Sequence, residues 1–194
     1  MNIPEEDSNQ IFIKKEDYPS LFRAADKASV DAQWTHLWII RLYLILIVLA
    51  TLTSTYFGTT KWTAIASGVL VCSTLGFAIL QANKDYDQVW YNGRAVAESI
   101  KTIAWRYMMR AEPYSNNKPL RQVQNDFCND ISEVLRQNKS LTEHLGGPEI
   151  TGRPITEKMN QVRSLDVEDR LDIYHTERID EQRKWYAKKY GEND

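Results

Sequence analysis

Two stretches without a formal charge constrain this chain more than anything else in it. Residues 42–60 hold no Asp, Glu, Lys or Arg, and neither do residues 62–83. A helix needs about 20 apolar residues to cross about 30 Å of hydrocarbon, so each stretch is long enough to span a bilayer. The mean hydropathy of the whole chain, −0.48, conceals both. Two core helices of a water-soluble protein would need a large apolar shell, and the remaining sequence is too polar to supply one. The connection between the stretches is short, so they form an antiparallel hairpin with spans at about 37–57 and 62–82. Trp38, Tyr43, Tyr56, Phe57 and Trp62 fall near the span ends, where interfacial aromatics sit. Arg41 can snorkel to the interface.

Basic residues set the orientation. The turn carries only Lys61, whereas the other side carries Arg23, Lys27, Arg41, Lys84, Arg94 and Lys101. Both termini are therefore expected in the cytoplasm. The opening MNIPEEDSNQ is acidic and polar, unlike a signal peptide. Cys72 and Cys128 make neither a disulfide framework nor a zinc spacing. The expected location is a bacterial inner membrane, with an organelle membrane as the alternative. A net charge of −2 gives no basic surface for phosphate backbones, so nucleic acid is not an expected partner.

Within the second span Ala64, Gly68, Cys72 and Gly76 recur every four residues. Small residues at that spacing make a flat strip for close helix packing. The strip packs either on the first span, the preferred reading, or on another subunit. Thr63, Ser67 and Thr74 lie on a neighbouring face with Ser73 close by. Their hydroxyls either line a water path in an oligomer or bond their own helix carbonyls. One hairpin cannot enclose a pore, so a pore would take several copies.

Neither proline nor glycine interrupts residues 20–57, and Ser20 is the expected N-cap. From 63 to 111 only glycines break the pattern before Pro113 stops it. Both helices should therefore continue beyond the membrane as an antiparallel stalk. A turn near residue 59 pairs positions whose numbers sum to about 119. That places Gly93 near Asp26, among Ala24, Ala25 and Ala28, with Arg94 in reach of Asp26 or Asp31. Glu98 can pair with Arg94 or Thr102 four residues away and with Lys101 three away. Trp90 and Trp105 can lie over the stems of Arg94 and Lys101. The regular charges and aromatics of Arg94, Glu98, Lys101, Trp105 and Arg106 then fix register. The alternative is a ligand or anionic-headgroup site using Arg94, Lys101, Arg106 and Arg110.

Residues 112–119 form a turn-rich loop. The next helix places Leu120, Val123, Phe127, Ile131, Val134 and Leu135 on one face, to pack on the stalk. Residues 145–154 form a second loop, and a charged helix follows with Asp166 as a possible N-cap. Its Leu171, Tyr174, Arg178 and Trp185 share a side that needs a partner. The expected fold class is an all-α membrane protein, a transmembrane hairpin extended into a cytoplasmic antiparallel stalk with additional amphipathic helices. Residues 1–19 are a polar segment, 20–111 the hairpin and stalk, 112–154 the loop–helix–loop, and 155–194 the C-terminal helical segment.

Catalytic signatures are missing from the sequence. His36, His144 and His175 form no local ligand pair, and no HExxH, GxSxG, P-loop or GxGxxG motif occurs. No catalytic, metal or cofactor residues are assigned, and the chain is not expected to be an enzyme.

YPSLFRAADKAS at 18–29, the hairpin, and GRAVAESIKTIAWRYMMRAEPY at 93–114 together resemble the SLATT family of bacterial two-transmembrane domains. The motif residues here are Arg94, Ala97, Glu98, Ser99, Lys101, Trp105, Arg106, Tyr107, Glu112, Pro113 and Tyr114. Residues 155–190 are similar to the segment linking two such domains in tandem members. The chain reads as the N-terminal module of one, unless it naturally keeps only the lead-in helix. The resemblance implies an oligomeric membrane effector in bacterial conflict or anti-phage defence, permeabilising the inner membrane. It also implies a nucleotide-signalling or sensor partner, and brings no catalytic residues. The alternative from another class is a membrane anchor or scaffold for a cytoplasmic signalling partner, without conductance.

Overall fold

The computed structural model describes residues 11–56, 60–82, 86–143, 145 and 152–191, and among them there are helices and no strands. Helix α1 (Ser20–Tyr56) is the longest helix among the described residues. It contains no glycine or proline, so no backbone break is built into it. Helix α2 (Lys61–Ala82) packs beside one part of α1, and α3 (Tyr86–Met108) beside the other. The helix read across 63–111 is described up to Ala82 and from Tyr86 onward, and residues 83–85 lie outside the described residues.

A seven-residue repeat holds these helices together. On α1 the series Phe22, Ser29, His36, Tyr43, Ala50 and the series Ala25, Ala32, Ile39, Leu46, Thr53 are all buried or half-buried. On α2 the half-buried stripe includes Thr63, Ser67, Leu70, Thr74 and Phe77, and on α3 the matching stripe runs from half-buried Tyr86 and Trp90 to buried Gly93, Ala97, Ile100, Ala104 and Tyr107. Alternating steps of three and four keep one seam facing a partner helix, as in coiled coils. The α1–α3 contacts run in opposite chain directions. A Cβ on Gly93 would meet the Ala25 carbonyl oxygen at 3.1 Å and Ser29 Cβ at 3.0 Å. Ser29 Oγ donates to the Trp90 carbonyl at 2.9 Å, and Lys101 Nζ lies 5.7 Å from the Tyr18 ring centre. Ser20 starts α1 as a helical residue rather than capping it. The Phe22 and Arg23 amides both reach the Pro19 carbonyl, which puts Pro19 at the cap position.

Helix α3 stops three residues short of the expected end. Arg110 has φ 54°, its amide donates to the Tyr107 carbonyl at 3.2 Å, and the Ala111 amide donates to the Arg106 carbonyl at 3.0 Å. This is a Schellman termination with arginine where glycine usually stands. Beyond it come α4 (Leu120–Gln137), the single turn α5 (Lys139–Thr142), α6 (Glu157–Ser164), α7 (Val167–Tyr174), a π-helical stretch (His175–Asp180) and α8 (Glu181–Gly191). Helix α4 packs on α3 through Val123, Phe127 and Ile131, with Val134 and Leu135 half-buried, whereas Leu120 is exposed. Thr156 caps α6 by accepting from the Met159 amide at 3.2 Å, and Asp166 caps α7 by accepting from the Asp169 amide at 3.0 Å. One core runs from Tyr18 and Leu21 on one side, through Ile100, Tyr107 and Phe127, to Met159 and Val162.

Candidate functional site

The apolar hairpin presents its side chains outward. Leu44, Ile45, Val48 and Leu52 on α1, and Ile65, Val69, Val71 and Leu75 on α2, are all exposed. Water does not tolerate an apolar surface of this size, whereas lipid does. Trp38, Tyr56 and Trp62 are exposed as an interfacial belt would have them. Arg41 and Lys61 lie over the rings of Trp38 and Trp62, each at 5.8 Å. Tyr43 instead turns into the α1–α2 seam, and Phe57 lies outside the described residues.

The small-residue strip of α2 does not take the place preferred for it. Ala64, Gly68, Cys72 and Gly76 are exposed, and a Cβ added at Gly68 or Gly76 would meet nothing within 4 Å. The strip therefore does not pack on α1. The half-buried face is the one carrying Thr63, Ser67 and Thr74. Its larger residues, Leu70 and Phe77, supply the seven-residue seam, which small residues spaced by four do not. The hydroxyls also bond locally, Thr63 to the Thr60 carbonyl at 2.8 Å and Thr74 to the Val71 carbonyl at 2.7 Å. In this arrangement they lie in the hairpin seam, not on an outer face.

The Gly93–Tyr114 motif divides into a charged edge and an aromatic core. Arg94 lies 3.9 Å from Asp26 and 3.6 Å from Glu98. Asp26 also pairs with Lys15. Glu98 lies 3.8 Å from Arg178, which brings the C-terminal helices onto α3. Lys101 does not meet Glu98; it lies 3.7 Å from Glu181 and faces the Tyr18 ring. The tryptophans do not cover the basic stems. Trp90 stacks on Tyr91 at 4.9 Å, and Trp105, almost fully buried, meets Tyr174 edge-on at 5.3 Å. Helix α3 thus partners Tyr174 and Arg178, while Leu171 and Trp185 on the same side stay exposed.

Tyr107 and Tyr114 close around Phe127, with ring centres 5.0 and 5.8 Å from it. The Tyr107 hydroxyl donates to Asn160 at 2.7 Å, and the Tyr114 hydroxyl donates to Asp130. Burial pushes both phenols and that of Tyr18 above the usual tyrosine range, and Asp130 pushes Tyr114 further. Arg163 is buried, with Nη1 on the Tyr107 carbonyl at 2.5 Å and Nη2 on the Tyr114 carbonyl at 2.8 Å. Arg110 Nε donates to the Arg163 carbonyl at 2.8 Å. Sequence reasoning missed Arg163, Arg170 and Asn160, because a charged segment at helical spacing reads as solvated surface. Between α3 and α7 a cleft of about 290 Å³ is lined by Thr102, Trp105, Arg106, Met109, Arg170 and Tyr174, among others.

A family model described as SMODS and SLOG-associating 2TM effector domain 3, SLATT_3, matches residues 19–171. The chain belongs to the SLATT family. The match takes in the hairpin, the α3 motif, α4 and α6, and ends on α7, so it covers the buried core of this SLATT protein apart from Tyr18. No curated protein and no solved structure matches the chain. The two apolar helices and the two-transmembrane family together mark a membrane-associated effector domain. Among the described residues no group of His, Cys, Asp and Glu side chains could hold a metal ion.

Proposed function

We propose that this protein is an oligomeric, non-enzymatic effector that permeabilises a bacterial inner membrane in anti-phage or conflict defence. Both termini and an α1–α3 stalk lie in the cytoplasm in this reading, as the basic residues flanking the spans favour. The observation that carries it is the exposed strip Ala64, Gly68, Cys72 and Gly76 on an apolar helix whose α1-facing stripe is already occupied. In lipid, such a strip gains little from facing acyl chains and much from close approach of another helix. Copies joined along it place several hairpins around one axis. Parting of α1 from α2 then uncovers the hydroxyl seam of Thr63, Ser67 and Thr74 to water. A sensor or nucleotide-signalling partner supplies the trigger.

Leucine at both Gly68 and Gly76 tests this reading. Nothing in one subunit opposes the added side chains, and each exchange improves helix propensity by roughly 1 kcal/mol. The double variant should insert and fold, yet run as a smaller species in detergent and lose ion leakage from loaded liposomes. Cys72 in a Cys128→Ser background should cross-link between subunits on oxidation, since disulfides need Cα atoms within about 7 Å. Leakage unchanged in the correctly inserted double variant refutes the strip as a subunit contact. Exposed Trp185, Tyr186 and Tyr190 on α8 favour a second reading, an anchor or scaffold for a cytoplasmic partner without conductance. Partner binding that survives every change in the spans, with no leakage from wild type, would select it.

A further inference from the structure

The cleft between α3 and α7 holds more positive charge than its surroundings compensate. Arg170 is 6% exposed, yet its Nε and Nη1 have no hydrogen-bond partner. Arg178 Nη1 is also without a hydrogen bond, and only the Glu98 carboxylate comes near, at 3.8 Å. Arg106 lines the same cleft, and Arg110 and Arg163 lie close enough to Arg170 for their charges to repel. Among the described residues no carboxylate lies within ion-pair distance of Arg106, Arg110 or Arg170. Asp166 acts on Arg170 only at longer range. Burial and the Arg110 charge push the Arg170 guanidinium below its ordinary pKa, the direction expected of a cation kept dry without a counter-ion. The remaining walls are apolar and aromatic, from Trp105, Met109, Leu171 and Tyr174. The Trp105 indole N–H is buried and has no hydrogen-bond partner either.

We infer that this cleft binds a small soluble phosphate ester, its phosphate held by Arg106, Arg170 and Arg178 and its planar or apolar body laid against Tyr174, Leu171 and Met109. Guanidinium forks suit phosphate oxygens, and a dianion answers several cations where one carboxylate would not. The distance from the bilayer favours a soluble ligand over a lipid headgroup. Lys101, one turn before Trp105, lies over the Tyr18 ring, and the helix from Ser20 to the start of the span near Leu37 covers about 25 Å. The ligand would bridge α3 to α7 and so couple the C-terminal helices to the helix that continues toward the membrane. The inference names a ligand for the proposed effector, but its test reads binding alone, so it can fail while leakage stands.

The test is calorimetric titration of the full chain in detergent with adenosine 5′-monophosphate, inorganic phosphate and short-chain phosphatidic acid, on wild type, Arg170→Met and Arg106→Gln. Adenosine monophosphate should saturate wild type and bind at least tenfold more weakly to both variants. Arg106 is exposed, so its variant is not expected to disturb folding. Without ligand, Arg170→Met should melt no lower than wild type, because it removes an unpaired buried cation. Adenosine monophosphate binding unchanged in both variants overturns the site. So does failure of both adenosine monophosphate and phosphate to bind wild type. Arginine-dependent binding of phosphatidic acid alone overturns the soluble ligand in favour of a headgroup.

Discussion

Arg163→Met removes the clamp that holds the end of α3 to the loop after it. The guanidinium donates to the Tyr107 carbonyl at 2.5 Å and the Tyr114 carbonyl at 2.8 Å, and sits 4.7 Å from the Tyr107 ring centre. Hydrogen bonds from a charged donor contribute about 1.5–3 kcal/mol each, so the gross loss is about 3–6 kcal/mol. Two effects reduce it. The Tyr107 carbonyl keeps the Arg110 amide at 3.2 Å, and a buried cation no longer has to be desolvated. The net destabilisation should be about 2–4 kcal/mol, or about 5–12 °C in melting temperature for a chain of this size. Arg163→Lys keeps one of the two bonds and should lose about half as much. Thermal melts of the detergent-solubilised protein, followed by tryptophan fluorescence, read both. Arg163→Met melting within about 2 °C of wild type refutes the reasoning, since desolvation would then cancel both hydrogen bonds.

Gly93 and Gly68 should respond oppositely to alanine. At Gly93 the new Cβ meets α1 backbone and Ser29 at 3.0–3.2 Å, so overpacking of about 1–3 kcal/mol outweighs a helix-propensity gain of about 1 kcal/mol. At Gly68 nothing within one subunit opposes the gain and alanine keeps the strip small, and a denaturant series showing the reverse order would refute the packing. Arg110→Gly and Arg110→Ala both lose the bond to Arg163, but only glycine relieves the left-handed backbone. The glycine variant should be about 1 kcal/mol more stable by urea midpoint, and equal midpoints would contradict it. Tyr18, Tyr107 and Tyr114 have folded pKa values raised above the unfolded value near 10. Their contribution is fully present below about pH 10, and stability should fall as pH rises beyond it, because the native state then holds more protons than the unfolded one. A urea midpoint flat from pH 8 to 11 would show that these phenols ionise as freely folded as unfolded.

Much of this architecture is written locally. Two charge-free runs of spanning length dictate the apolar helices, and the absence of glycine and proline over 20–56 dictates the length of α1. The register near 119 follows from the shortness of one connection, and Gly93 does meet Ala25 and Ser29. Asp166 caps its helix because the cap bond lies within one turn of chain. The tertiary structure alone decided which face of α2 turns inward. Two stripes of similar size compete there, and the one with Leu70 and Phe77 fits the seven-residue seam. It also decided the fate of the charges. Lys101 and Glu98 stand three apart on one helix, yet each takes a partner from the C-terminal helices, which no spacing within α3 could reveal. Arg163 and Arg170 look like solvated charge until α6 and α7 fold back on α3, because burial depends on elements that meet only after the chain has closed on itself.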